Sequence, residues 1–152
     1  MAAVKLLARL GAGDAVSRAG TQQLLFPAIA DFPMPAALFV AVLPIHDANG
    51  LLLTEMRRAP IPPDIWACVI ADDPFRRPVD LLRQLRDAGA ARLCCFPLSR
   101  LHGPDQSRFF ESGGAGMLAE RRMAEAAQAM GFEVADFSGE ILDLAARLDP
   151  AA

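Results

Sequence analysis

The stretch IWACVIADDPFRRPVDLLRQLRDAGAARLCCFP, Ile65 to Pro97, decides the fold. It opens on an apolar run, IWACVIA, whose length suits a strand. The run does not alternate with polar residues, so both faces of that strand are expected to be buried. Charge then arrives all at once in ADDPFRRP. Pro78 suits the first turn of a helix, where a missing N–H costs nothing. Val79, Leu82 and Leu85 follow at helical spacing, and Gly89 suits the residue after a helix end. RLCCF is a second apolar run. Strand, helix and strand in that order make a βαβ unit, whose strands are parallel.

The same pattern extends in both directions. Asp47 is placed to cap a helix running to about Arg58, with Leu51, Leu52 and Met56 on one face. APIPPD ends it, because proline cannot continue a helix. Downstream, Met117 to Met130 reads as a helix stopped by Gly131, FEVADF as a strand, and Gly139 to Leu148 as a last helix. Between them PLSRLHGPDQSRFFESGG reads as a long loop with a short helix around Gln106 to Phe110. Upstream, Val4 to Leu10 reads as a helix, apolar at positions 4, 6, 7 and 10. QLLFPAIA, Gln23 to Ala30, reads as a buried strand, although Pro27 is unusual there. ALFVAVLP, Ala37 to Pro44, fits either a strand or a helix. The fold class is therefore α/β, in one domain over residues 1–152. Its parallel βα units form either a partial (β/α)8 barrel or an open parallel sheet flanked by helices.

Bulk properties exclude several classes. Hydrophobic residues make up 53% of the 152 residues and charged residues 22%, which rules out a disordered chain. A net charge of −3 offers no basic stripe for nucleic acid or an anionic membrane. The longest uncharged stretch, Phe32 to His46, is broken by prolines and falls short of the ~18 residues of a membrane span. Arg9 interrupts the apolar N-terminus, which argues for a short amphipathic segment over a signal peptide. Cys68, Cys94 and Cys95 are odd in number and form no CxxC. They read as buried thiols in a reducing compartment, so a cytoplasmic location is expected.

In parallel α/β folds the loops after the strands line the ligand site. Here those loops carry PIHDAN, DDPFRR, PLSRLHG and SGE, and both histidines, His46 and His102, fall on them. Each histidine fits a hydrogen-bonded structural role or a site role. Asp47 and Asn49 could do no more than close a helix-capping turn. Asp72 and Asp73 could divide between capping the next helix and facing the strand mouth, or could bind a divalent cation together. The ESGGAGM stretch puts Gly114 and Gly116 before a helix, where exposed N–H groups can hold an anion. Arg100 and Arg108 flank that loop and could pair with the same anion. Ser99 and Ser138 lack a GxSxG elbow, and the chain has neither a P-loop nor GxGxxG.

Three segments, LPIHDANGLLLTEM, ADDPFRRPVDLLRQLRDAGAARLCCFP and RFFESGGAGMLAERRMAEAAQAMGF, occur in this order. Together they resemble the phosphoenolpyruvate hydrolase-like TIM-barrel family, whose members carry LLPYGDAN, TDPFR, NFPTVGLIDG and LEETGMGY. The resemblance runs from about Val42 to Phe137. Asp47, Ala48 and Asn49 match the DAN turn, and Asp73, Pro74, Phe75 and Arg76 match the DPFR turn. Phe96 and Pro97 match the FP pair, Gly103 the glycine ending that loop, and Glu111 and Gly116 the acidic, glycine-bearing stretch. The resemblance implies a small anionic carbonyl or phosphorylated substrate and a hydrolase or lyase reaction. Asp73, His46 or His102 would act as general acid or base. Asp47, Asn49, Asp72, Arg76, Arg100, Gly114 and Gly116 would line the ligand.

The chain also departs from the family. The family's YNSGRYR segment falls near PAIADFPM and has lost its tyrosines and arginines. Cys95 replaces the asparagine before FP, Ile45 and His46 replace the tyrosine and glycine of the first turn, and LSRLHG replaces TVGLID. A complete barrel takes roughly 250 residues, so this chain holds five or six units at most. The expectation is a homo-oligomer, a partner chain that supplies the missing βα units, or an open sheet. A non-catalytic accessory subunit is the alternative to an enzyme. A receiver-type domain would need a lysine after a late strand, which is absent.

Overall fold

Trp66, Ala67, Cys68 and Val69 are all buried, as a strand covered on both faces requires. They form the central strand of the protein. The computed structural model describes residues 3–11, 20–31, 46–97 and 116–148, together with Ala36, Arg100, Arg108 and Ser112. The strands are β1 (Ala3–Leu7), β2 (Thr21–Leu25), β3 (Trp66–Val69), β4 (Arg92–Cys95) and β5 (Glu133–Ala135). The helices are α1 (Ala48–Arg58), α2 (Pro78–Asp87), α3 (Met117–Ala129) and α4 (Ser138–Leu148), and a 3-10 helix spans Pro27–Asp31. The segment 37–44 and, apart from Arg108, the segment 106–110 lie outside the described residues.

All five strands are parallel, in the order β1-β2-β3-β4-β5. An order without reversal keeps same-handed crossovers on one face of the sheet. Accordingly Leu52, Leu53 and Met56 of α1, Leu81, Leu82 and Leu85 of α2, and Met123 and Ala127 of α3 share one core. Leu25, Val69 and Leu93 of the strands meet them there. The opposite face would line the interior of a closed barrel. Here α4 covers it, setting Ile141 and Ala145 among Leu24, Phe26, Trp66, Cys68, Cys94 and Phe96. Phe137 stacks edge-on against Trp66 at 5.2 Å, and Phe96 against Phe26 at 4.6 Å. Among the described residues the architecture is an open parallel sheet with three α-helices on one side and one on the other. No helix among the described residues is long and apolar enough to cross a membrane.

Several sequence expectations are corrected. Ala3–Leu7 is a strand, where a helix over Val4–Leu10 was expected. The spacing 4, 6, 7, 10 suits both, and an isolated helix of seven residues is marginal. Pairing in register with Thr21–Leu25 decides it. Val4 and Leu6 then pack toward the α4 face, while Leu7 joins the opposite core. The second strand stops at Leu25, and Pro27 begins the 3-10 turn instead of continuing the ladder. Val79 is 46% exposed, and Leu81 takes the buried place assigned to it. On α1, Leu53 is buried where Leu51 was expected and Leu51 is only half-buried.

Pro78 opens α2, Gly89 follows it at φ 101°, and Gly131 follows α3 at φ 91°, as expected. Their positive φ angles place both glycines in a region that residues with a Cβ rarely adopt.

Candidate functional site

Asp47 precedes α1 and accepts a hydrogen bond from Gly50 N at 3.0 Å, the geometry of an N-cap. Two residues on, Asn49 is buried and turns toward the end of β3. Its Nδ2 donates to Ile70 O and its Oδ1 accepts from Ile70 N, both at 2.9 Å. The amide thus extends the β3 ladder by one residue, using side-chain atoms. The same Nδ2 donates to Asp73 Oδ2 at 3.0 Å.

Asp73 is the hinge of the charged stretch. Its Oδ1 accepts from Phe75 N at 2.7 Å and Arg76 N at 3.2 Å, which folds DPFR back on itself. Its Oδ2 also accepts from Arg76 Nη1 at 2.9 Å. Arg76 then reaches across to Asp47, Nη1 to Oδ1 at 2.7 Å and Nη2 to Oδ2 at 3.0 Å. This fork-to-fork pairing is the strong form of an arginine–carboxylate contact. The hydrogen bond from Arg76 holds the Asp47 carboxyl below its usual range, and Asp47 raises the Arg76 guanidinium in return. The DAN and DPFR turns therefore close on each other as one clamp at the C-terminal rim of the sheet.

Gly50 fits that clamp for reasons of space. A Cβ there would lie 2.1 Å from Asp47 Oδ2 and 3.0 Å from Arg76 Nη2. Gly50→Ala on an ordinary helix gains about 1 kcal/mol. Here it is expected to lose about 1 kcal/mol, because the added Cβ displaces the Asp47–Arg76 pair. Urea unfolding of the variant checks the sign.

The remaining candidates are scattered. Asp72 is exposed and Asp73 turned inward, so the adjacent acids part company. Among the described residues no group of three or more His, Cys, Asp or Glu side chains could hold a metal ion. His46 lines a cavity of about 480 Å3 with Asp47, Thr54, Arg57 and Arg76. Gly116 caps α3 and is buried. His102, Gly114, Ser99, Gly103 and Glu111 lie outside the described residues. Arg108 is exposed. Arg100 pairs with Glu120 of α3 at 3.0 Å, away from the clamp residues. Ser138 begins α4, and its N–H donates to Asp136 Oδ1 at 2.9 Å. Burial pushes the Cys95 thiol well up, and Cys68 together with burial does the same for Cys94, so neither is a ready nucleophile.

Glu55 escaped sequence reasoning. It is buried, accepts Leu10 N at 2.8 Å and pairs with Arg58, which also donates to Leu10 O. The sign was available: an acid on the same helical stripe as Leu52. Glu55, Asp47 and Asp136 are all held below their ordinary values of 4.5, 3.8 and 3.8, by hydrogen bonds from Arg58, Arg76 and Ser138 respectively. The folded protein therefore binds their protons less tightly than the unfolded chain. The stability they contribute is complete above those ordinary values and is lost as pH falls through the lower folded ones. Urea midpoints are expected to be flat from about pH 7 to 5 and to drop below about pH 4, with a shallower drop in Asp47→Asn.

No protein-family model matches the chain. It is 39% identical over 94 residues to the uncharacterized protein y4oT of Sinorhizobium fredii. The match covers 61% of this chain and 48% of that protein, so the chain spans about half the length of the curated relative it matches.

Proposed function

We propose that the protein binds a small organic acid at the C-terminal rim of its sheet and does not turn it over. In this reading it is a divergent relative of the phosphoenolpyruvate hydrolase-like TIM-barrel family. The observation that carries it is the clamp. The two turns with the closest resemblance meet in space, and their carboxylates are engaged by Arg76, Asn49 and backbone N–H groups. A general base works best with a pKa near the operating pH, and the hydrogen bond from Arg76 moves Asp47 further from it. The turns thus act as scaffolding for a rim, and the rim offers binding. The free cysteines, Cys68 and Cys94 buried and Cys95 half-buried, suit a reducing compartment such as the cytoplasm.

The test pairs a thermal-shift panel of phospho-, keto- and amino acids with turnover assays on the same compounds. A binder at 100 times its Kd is expected to raise Tm by about 5–10 °C. No release of phosphate or pyruvate from phosphoenolpyruvate is expected. Turnover that disappears in Asp73→Asn would establish an enzyme instead.

A second reading, an accessory subunit, is supported by a different observation. Phe75, Val79, Met117 and Leu118 are 44–54% exposed at the starts of α2 and α3. Exposed apolar side chains mark an interaction surface where they form one patch. β1 and β5 each have one neighbour among the described strands, so either edge could receive strands from a second copy or a partner chain. Light scattering of the wild type and of Val79→Glu with Leu118→Glu distinguishes a self-associating form from a monomer.

A further inference from the structure

The ends of β4 and β5 flank a cavity of about 370 Å3. That volume lies within the range of small-molecule sites, and the cavity runs from the end of β4 along the groove between α3 and β5. Its lining includes Arg100 and Arg121, Glu120 and Asp136, so the charges sum to zero. The Arg100 and Glu120 side chains are mostly withdrawn from water and pair with each other. Arg121 and Asp136, on different elements, are both exposed. Ala124 and Val134 add apolar surface between α3 and β5. The Ser138 hydrogen bonds hold Asp136 ionised, and burial keeps the Cys95 thiol neutral.

We propose that this cavity binds a small α-amino acid. Arg121 takes the carboxylate, Asp136 takes the ammonium group, and Ala124 and Val134 receive a short side chain. The inference rests on the binding reading above and places the ligand in a cavity that shares no lining residue with the clamp. A zwitterion matches two opposite charges in one cavity. A phosphorylated acid brings extra negative charge against Glu120 and Asp136, and a keto acid offers Asp136 no ammonium group.

L-Alanine and pyruvate share a carbon skeleton and differ at the amino-bearing carbon, so they are the probes. Calorimetry on the full chain is expected to show alanine binding at least tenfold more tightly than pyruvate. Asp136→Asn keeps the helix-capping geometry and is expected to weaken alanine by about tenfold or more, leaving pyruvate unchanged. Ala124→Leu, which takes up the space assigned to the short side chain without altering charge, is expected to weaken alanine binding about tenfold or more. If pyruvate or phosphoenolpyruvate binds as well as alanine, with Asp136→Asn without effect, the amino-acid assignment is overturned and the binding reading stands. If no acid binds at all, both are overturned.

Discussion

Arg76→Ala is expected to cost about 3 kcal/mol of folding stability and to lower Tm by about 6–12 °C. The reason lies in what stays behind. The Asp73 side chain is 3% exposed. It keeps its bonds from Asn49 Nδ2, Phe75 N and the backbone N–H of residue 76, but it loses the cation that balances it. Removing one partner of a buried ion pair costs about 3–5 kcal/mol, and the three surviving bonds put this case at the lower end. Asp47, whose side chain is 42% exposed, is better hydrated, so Asp47→Asn alone is expected to cost about 1 kcal/mol or less. Arg76→Lys can meet one carboxylate at a time and loses the fork, so it should recover only part of the loss. Urea unfolding of the three variants measures the order. A loss below about 1 kcal/mol for Arg76→Ala would mean that the clamp does not stabilise the fold.

Ile141→Asp is expected to lift α4 from the sheet at a cost of about 4 kcal/mol or more. Ile141 is fully buried against the face that carries Phe26, Trp66 and Phe96. An aspartate there replaces apolar contact with a carboxyl that must be desolvated. Trp66 is the sole tryptophan of the chain, stacks on Phe137 and donates Nε1–H to Gln22 at 3.0 Å. Its emission should shift to the red as water reaches the ring. Exposure of that face should also raise the scattering mass, because the apolar surface seeks another partner. Ile141→Val, which removes one methylene, should cost about 1 kcal/mol and leave the emission unchanged. An unshifted Trp66 spectrum in Ile141→Asp would show that α4 does not protect this face.

The two variants probe parts of the protein that differ in how visible they are in sequence. The segment Ile65–Pro97 carries its own instructions: an apolar run, Pro78 at a helix start, Leu82 and Leu85 at helical spacing, Gly89 past the helix end. Each acts through bonds and sterics within a few residues, so each is readable in order. Asp47 is legible as a cap for the same reason. The site is less legible. That Asp73 and Asp47 share one arginine depends on two loops 26 residues apart meeting at the rim, and no local rule brings them together.

The chain's class, its parallel strands and the ends of its helices thus follow from short-range chemistry: periodicity, capping, proline and glycine. Tertiary packing decided the rest. It made Ala3–Leu7 a strand because pairing with Thr21–Leu25 outweighs a weak helical spacing. It turned Val79 out and Leu81 in, because the sheet covers only one flank of α2. It laid α4 across the face that a closed barrel would enclose, because Leu24, Phe26, Trp66 and Phe96 need an apolar cover. It also drew Asp73 inward and left Asp72 in solvent, so ADDPFRRP is a structural clamp whose reach becomes visible only once the strands are side by side.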